Sequence, residues 1–168
     1  MSSQTESSTS THPGLAIYAD PDHEPPVGTA EHALWLVHWH VAYEDDGRID
    51  KLGELYADDI TWEMHFPFET PTFHGKDSVL ENYRGLMAII PDLGGPVLSR
   101  FSTPTHAFID QQISYTTTIP EGVPREGLLA SDMLPEGKLM TGRLLHDFEI
   151  RDGLIARETA FFVPEAVR

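Results

Sequence analysis

The 168-residue chain contains no cysteine. Disulfides, thiolate metal sites and cysteine nucleophiles are therefore excluded. Basic residues are scarce: 11 Lys and Arg stand against 27 Asp and Glu, for a formal net charge of -16. A surface this acidic repels phosphate backbones, so nucleic acid is not an expected partner. No apolar run approaches the roughly 20 residues of a membrane-spanning helix, and the N-terminus lacks the basic-then-apolar pattern of a signal peptide. A cytoplasmic protein without a membrane partner is the expectation. Two motifs are also missing, the Gly-rich phosphate loop and the Gly-x-Ser-x-Gly elbow, and with them support for a phosphate-binding site or a serine hydrolase.

What is present suffices for one domain with a real core. Apolar residues make up 40% of the chain and aromatic residues 10%, ordinary values for a globular fold. Met1 to Thr11 is Ser/Thr-rich and nearly devoid of apolar side chains, and Pro13 to Gly28 is proline-rich and acidic. Residues 1–28 read as a disordered or extended arm and residues 29–164 as the domain. Thr29 caps a first helix whose apolar stripe runs to Tyr43 and which ends at Gly47. Ile49 to Tyr56 reads as a second, short helix.

The central stretch, Tyr56 to Leu86, is the most informative. Ile60, Trp62, Met64 and Phe66 alternate with Thr61, Glu63 and His65, the period of a strand with one apolar face. Pro67, Pro71 and Gly75 predict an irregular loop. Val79, Leu80, Tyr83, Leu86 and Ile90 then fall at helical spacing, and Pro91 stops the helix. Pro96 to Ile109 reads as a strand broken near Pro104, with a turn at Asp110–Gln111 and a further strand from Gln112 to Ile119. Pro120 to Gly137 is a long Pro- and Gly-rich connection suited to a lid. Lys138–Arg151 and Leu154–Val163 form a final hairpin around Asp152–Gly153. Helices and strands segregate in this order, which predicts an α+β domain with helices on one face of a curved antiparallel sheet.

The acidic turn Tyr56–Asp59, the following strand and proline-containing loop, His74–Gly75, the Tyr83–Arg84 pair and the closing segment Leu145–Phe162 together resemble the nuclear transport factor 2-like superfamily. Within it the chain is similar to the SnoaL-like and ketosteroid-isomerase-like enzymes, and the resemblance runs from Thr29 to Phe162. It implies a cystatin-like, cone-shaped sheet packed against two to three helices, with a pocket at the open end. It also implies pocket positions. His40 falls where those isomerases carry an oxyanion-binding tyrosine. His146 falls where they carry a protonated aspartate, and Tyr83 matches a third pocket residue. The isomerases' general base falls on Met64, which cannot take a proton, so another residue must serve. His65, His106, Asp132 in the proposed lid and Glu158 in the last strand are the alternatives, with Asp132 and Glu158 expected to face solvent.

His40 shares a helix side with Leu36 and Tyr43, and His146 alternates with Leu144 and Phe148. Both therefore point to the core. His12, His23 and His32 read as surface residues. No His-x-His strand or His-x-x-x-His helix pattern occurs, so neither a metal nor a cofactor is expected. The predicted catalytic set is His40, His146, Tyr83 and Asp132. The predicted substrate wall is Trp62, Met64, His65, His106, Phe148 and Tyr43. Two functions fit: acid–base chemistry on an apolar, carbonyl-bearing metabolite, and ligand binding without catalysis. Short or apolar outward side chains on the sheet, Thr116, Thr118 and Leu145, predict a homodimer.

Overall fold

The computed structural model describes residues 23–66, 69–121 and 136–165. The predicted disordered stretch, most of the predicted arm and the core of the proposed lid, Asp132 included, lie outside the described residues.

Helix α1 spans Ala30–Asp45. The Thr29 side chain accepts a hydrogen bond from the His32 amide, 3.2 Å, satisfying one of the amides a helix start leaves open. Its buried positions Ala33, Leu36, Val37, His40, Val41 and Glu44 recur every three or four residues, so one stripe carries both apolar and polar side chains inward. Gly47, at φ 65°, turns the chain into α2 (Ile49–Glu54). Strand β1 (Tyr56–His65) follows. Tyr56, read from sequence as the end of the second helix, is thus the first residue of a strand and points into the core.

The predicted irregular loop contains a short strand, β2 (Thr72–His74), paired antiparallel with Thr61–Glu63 of β1. Three residues between Pro71 and Gly75 are too few to show a period. Helix α3 spans Lys76–Ile89, and β3 spans Val97–Ser102. The turn expected at Asp110–Gln111 lies instead at residues 103–105, where Thr103 Oγ1 accepts from the His106 amide, 3.1 Å. Asp110 and Gln111 are interior residues of β4 (His106–Thr116). Asp110 reads as a turn residue in isolation. Here it is held flat by Arg143 of the neighbouring strand, whose Nε donates to it at 2.8 Å. Strands β5 (Leu139–Arg151) and β6 (Leu154–Pro164) form the closing hairpin. Asp152 and Gly153 both have positive φ, 53° and 80°, as a two-residue turn matched to sheet twist requires.

The strands form one curved, unclosed sheet in the order β2-β1-β6-β5-β4-β3. Every junction is antiparallel except β1–β6, which is parallel. Helices α1 and α3 pack on its inner face, and α2 packs against both of them. Among the described residues no helix is long and apolar enough to cross a membrane. His32 is fully buried, contrary to its reading as a surface residue; it stacks on Trp35 and contacts Glu24 at 2.9 Å.

The inner face of β5 and β6 is closely fitted at Gly142. An added Cβ there would lie 2.6 Å from the Phe162 ring and 2.7 Å from the Val163 carbonyl oxygen. Gly142→Ala is therefore expected to destabilise the fold by about 1–3 kcal/mol, the usual range for overpacking. Denaturant unfolding checks this; an unchanged midpoint would show that the hairpin gives way freely.

Candidate active site

Sheet register builds the site. Glu158 on β6 lies between Trp62 on β1 and Phe148 on β5. One rung away, Ala160 lies between Met64 and His146. All face inward, because alternation along β6 places Ala156, Glu158, Ala160 and Phe162 among its buried residues. Helix α1 lowers His40 and Glu44 onto this face, and α3 adds Tyr83.

Glu158 is the hub, with 0% of its surface exposed. Tyr83 donates to its carboxylate at 3.0 and 3.1 Å, and Tyr56 donates to Oε2 at 3.1 Å. Trp62 Nε1–H donates to the Tyr83 oxygen at 3.2 Å. His40 Nδ1 lies 3.1 Å from the Tyr56 oxygen. Since the Tyr56 proton is committed to Glu158, His40 must be the donor, which leaves a lone pair on its Nε2. That nitrogen sits 3.6 Å from Glu158 and 3.7 Å from Glu44. His146 Nδ1 sits 3.4 Å from Glu158 Oε1.

Burial governs the charges. It pushes the Glu158 carboxyl up to about 7, with hydrogen bonds from Tyr83, Tyr56 and Trp62 pulling the other way. Burial, then repulsion from Glu158 and Asp45, holds Glu44 well above the usual carboxylate range. His146 is lowered to about 4 by burial. His40 is lowered well below its ordinary value by burial and then by His146. Near neutral pH both imidazoles are uncharged, and Glu158 stands between its acid and base forms.

A cleft of about 560 Å³, its open mouth included, reaches this cluster. Glu44, Tyr83, His146 and Glu158 form its polar end. Met64, Phe66, Leu86, Ile90, Ile113 and Phe162 are among the side chains of its apolar walls. An apolar body with one polar head fits this division.

Of the sequence-derived site residues, the structure gathers His40, His146 and Tyr83 around Glu158, with Trp62 and Met64 on the cleft wall. Phe148 is fully buried against His40, ring centroids 4.9 Å apart, and packs the core instead of lining the cleft. Tyr43 packs on Trp39 at the helix end. His65 stacks on Phe161 on the outer face of the sheet, and His106 is exposed beside Thr105. None of these three belongs to the cleft. The expectation that Glu158 faces solvent is overturned: it shares the inner face of β6 with Ala160 and Phe162. Sequence reasoning missed Tyr56 and Glu44. The signal for Glu44 was its position four residues after His40, on the same helical stripe.

A helix layer on a curved open sheet, with a polar cluster at the end of an apolar cleft, is the architecture of the nuclear transport factor 2-like class. The SnoaL-like domain family matches residues 37–158, and the chain belongs to it. Solved structures agree. A phenazine biosynthesis-related protein from Pseudomonas aeruginosa is 20% identical with a TM-score of 0.62, over 78% of this chain and 75% of that one. An NTF2-like protein from Burkholderia xenovorans is 9% identical with a TM-score of 0.63, over 80% and 92%. An epoxide hydrolase from M. tuberculosis is 11% identical with a TM-score of 0.59, over 80% and 84%. At these identities the likeness is one of fold. No curated protein matches the chain.

Proposed function

We propose that the chain is an enzyme that performs acid–base chemistry with its own side chains on a small, largely apolar, carbonyl-bearing molecule: an isomerisation, cyclisation, dehydration or hydrolysis. One observation carries this reading. A buried carboxyl group, Glu158, held by two tyrosines, stands at the polar end of an otherwise apolar cleft. Glu158 is the general base in the place Met64 cannot fill. Tyr56 and Tyr83 hold it in one orientation and keep its conjugate acid available to return the proton. His146, neutral and at the cleft surface, donates N–H to the substrate oxygen as negative charge develops there. His40 orients Tyr56 and is a positioning residue. The solved relative described as an epoxide hydrolase is compatible with such chemistry on this fold.

The direct test is proton exchange. A panel of apolar ketones and enones is incubated with the protein in D2O and followed by NMR. Deuterium should enter next to the carbonyl of at least one compound with the wild type and not with Glu158→Gln. Compounds that bind without exchange would favour the non-catalytic ligand-binding reading, for which the inert Met64 is the supporting observation.

The outer face of the sheet carries Phe161 and Val163, 41% and 53% exposed, beside Leu145. We expect this face to pair two copies of the chain, and Phe161→Asp to separate them. Light scattering at tens of micromolar, an order of magnitude typical of such assays, should give twice the chain mass for the wild type. A single-chain mass would refute the dimer.

A further inference from the structure

We propose that His40, His146 and Glu158 form a buried binding site for a divalent transition-metal ion of the zinc type, and that this ion and the transferred proton compete for Glu158. One ligand atom from each of the three residues lies within 4.8 Å of the other two. The separations of 3.4 and 3.6 Å between the imidazole nitrogens and Glu158 are close to the roughly 3.3 Å that separates ligands about 2.0–2.1 Å from a tetrahedral zinc.

Three further observations point to a cation. First, the hydrogen-bond network leaves His40 Nε2 as a bare lone pair facing two carboxylates, Glu158 and Glu44. His40 Nε2 and both nitrogens of His146 lack any hydrogen-bond partner despite complete burial, which is costly unless something occupies the space between them. Second, two inward carboxyl groups, Glu44 and Glu158, have no Lys or Arg partner among the described residues. Third, the surrounding contacts are those that orient metal ligands. The Tyr56 oxygen accepts a hydrogen bond from the far nitrogen of His40, Nδ1–H, and Tyr56 and Tyr83 fix the Glu158 carboxylate. Glu44, 3.7 Å from His40 Nε2 and on the cleft side, lies outside this ligand trio and is placed to hold a bound water. Two imidazoles select zinc, copper or cobalt over magnesium or calcium. The ligands come from α1, β5 and β6, which is why no short sequence motif announces them.

With the ion bound, the Glu158 oxygen that would receive a substrate proton is engaged, so the metal silences the chemistry proposed above. That consequence rests on the proposed function, whereas binding itself does not. The test uses chelator-treated full-length protein titrated with Zn²⁺ by calorimetry, with melting temperature in parallel. One equivalent should bind and raise the melting temperature, while Mg²⁺ should do neither. His146→Gln and His40→Gln should each weaken binding by at least about 100-fold, and Tyr56→Phe by about 10–100-fold, the usual worth of an orienting contact. Should these variants fail to fold, Cu²⁺ bound to the wild type gives the answer, since its electron paramagnetic resonance spectrum should show coupling to two imidazole nitrogens. Absence of stoichiometric Zn²⁺ binding, a copper spectrum without two nitrogens, or unchanged affinity in both folded histidine variants would each overturn the site. Deuterium exchange by the metal-free protein is a separate measurement, so either reading can fail while the other stands.

Discussion

Glu158→Gln should lower turnover by about 10²–10⁴, the worth of a positioned base, and should make the metal-free protein more stable than wild type above pH 7. The first effect follows because Gln cannot take a proton. The second follows from linkage. The folded Glu158 carboxyl lies at about 7, above its ordinary 4.5, so the folded state favours the protonated form. The stability from this group is complete below about pH 4.5 and is lost as pH rises through about 7. The amount is on the order of 3 kcal/mol. Gln is neutral at every pH and escapes that loss, while its oxygen still accepts from Tyr56 and Tyr83. Activity should accordingly rise with pH to a plateau above about 7, where the base is ionised. Denaturant unfolding at pH 5 and pH 8, with rates at the same values, checks both. A Gln variant less stable than wild type at pH 8 would mean that Glu158 is a structural anchor and not a base held at a cost.

His146→Gln should cost about 10²–10³ in turnover, as expected for one lost donor to a developing oxyanion, and should tilt stability the opposite way. The folded imidazole lies at about 4, below its ordinary 6.5. Its contribution is complete above about pH 6.5 and is lost as pH falls through about 4, again by an amount on the order of 3 kcal/mol. In the wild type this loss on acidification runs against the gain from Glu158 between about pH 4.5 and 6.5, and the two offset. His40 and Glu44, shifted in the same opposed directions, extend the balance. Single variants unmask it. Relative to wild type, His146→Gln should gain stability toward pH 5, and Glu158→Gln should gain it toward pH 8. Parallel stability curves for wild type and both variants would show that these groups titrate in the core as they do in water.

Much of the fold was legible because its elements obey clean periods. Ile60–Trp62–Met64 declared a strand, Val79 to Ile90 a helix, and Asp152–Gly153 a hairpin turn. The register errors came from residues with two roles. Asp110 favours turns until Arg143 on the next strand claims it, and that partner is 33 positions away. Half of the site was legible for the same reason, since His40 and His146 occupy inward phases of their elements. Its hub was not. Glu158 follows the inward phase of β6 just as plainly, but a carboxylate in a strand ordinarily faces water. Only the two tyrosines, 102 and 75 residues earlier, make its burial tolerable. Tyr56 was misread because the short helix before it ends at Glu54, leaving the tyrosine at a boundary that local pattern places poorly.

The parallel pairing of β1 with β6 also sets an order on folding. Tyr56–His65 must wait for residues 155–161 before it has its inner neighbour. That pairing closes a loop of most of the domain, the slowest kind of contact to form. The β5–β6 hairpin is local and can form early, and the antiparallel β4–β5 pair closes a much shorter loop than β1–β6. Trp62 is bonded to Glu158 through Tyr83, so the cluster is complete only when this last long-range contact closes. A partly folded chain with a native-like hairpin would hold His146 and Glu158 but lack the tyrosines that keep the carboxylate oriented. Refolding followed by proton exchange should therefore lag behind refolding followed by the hairpin's amide protection, and a single shared rate would place β1 in the early nucleus.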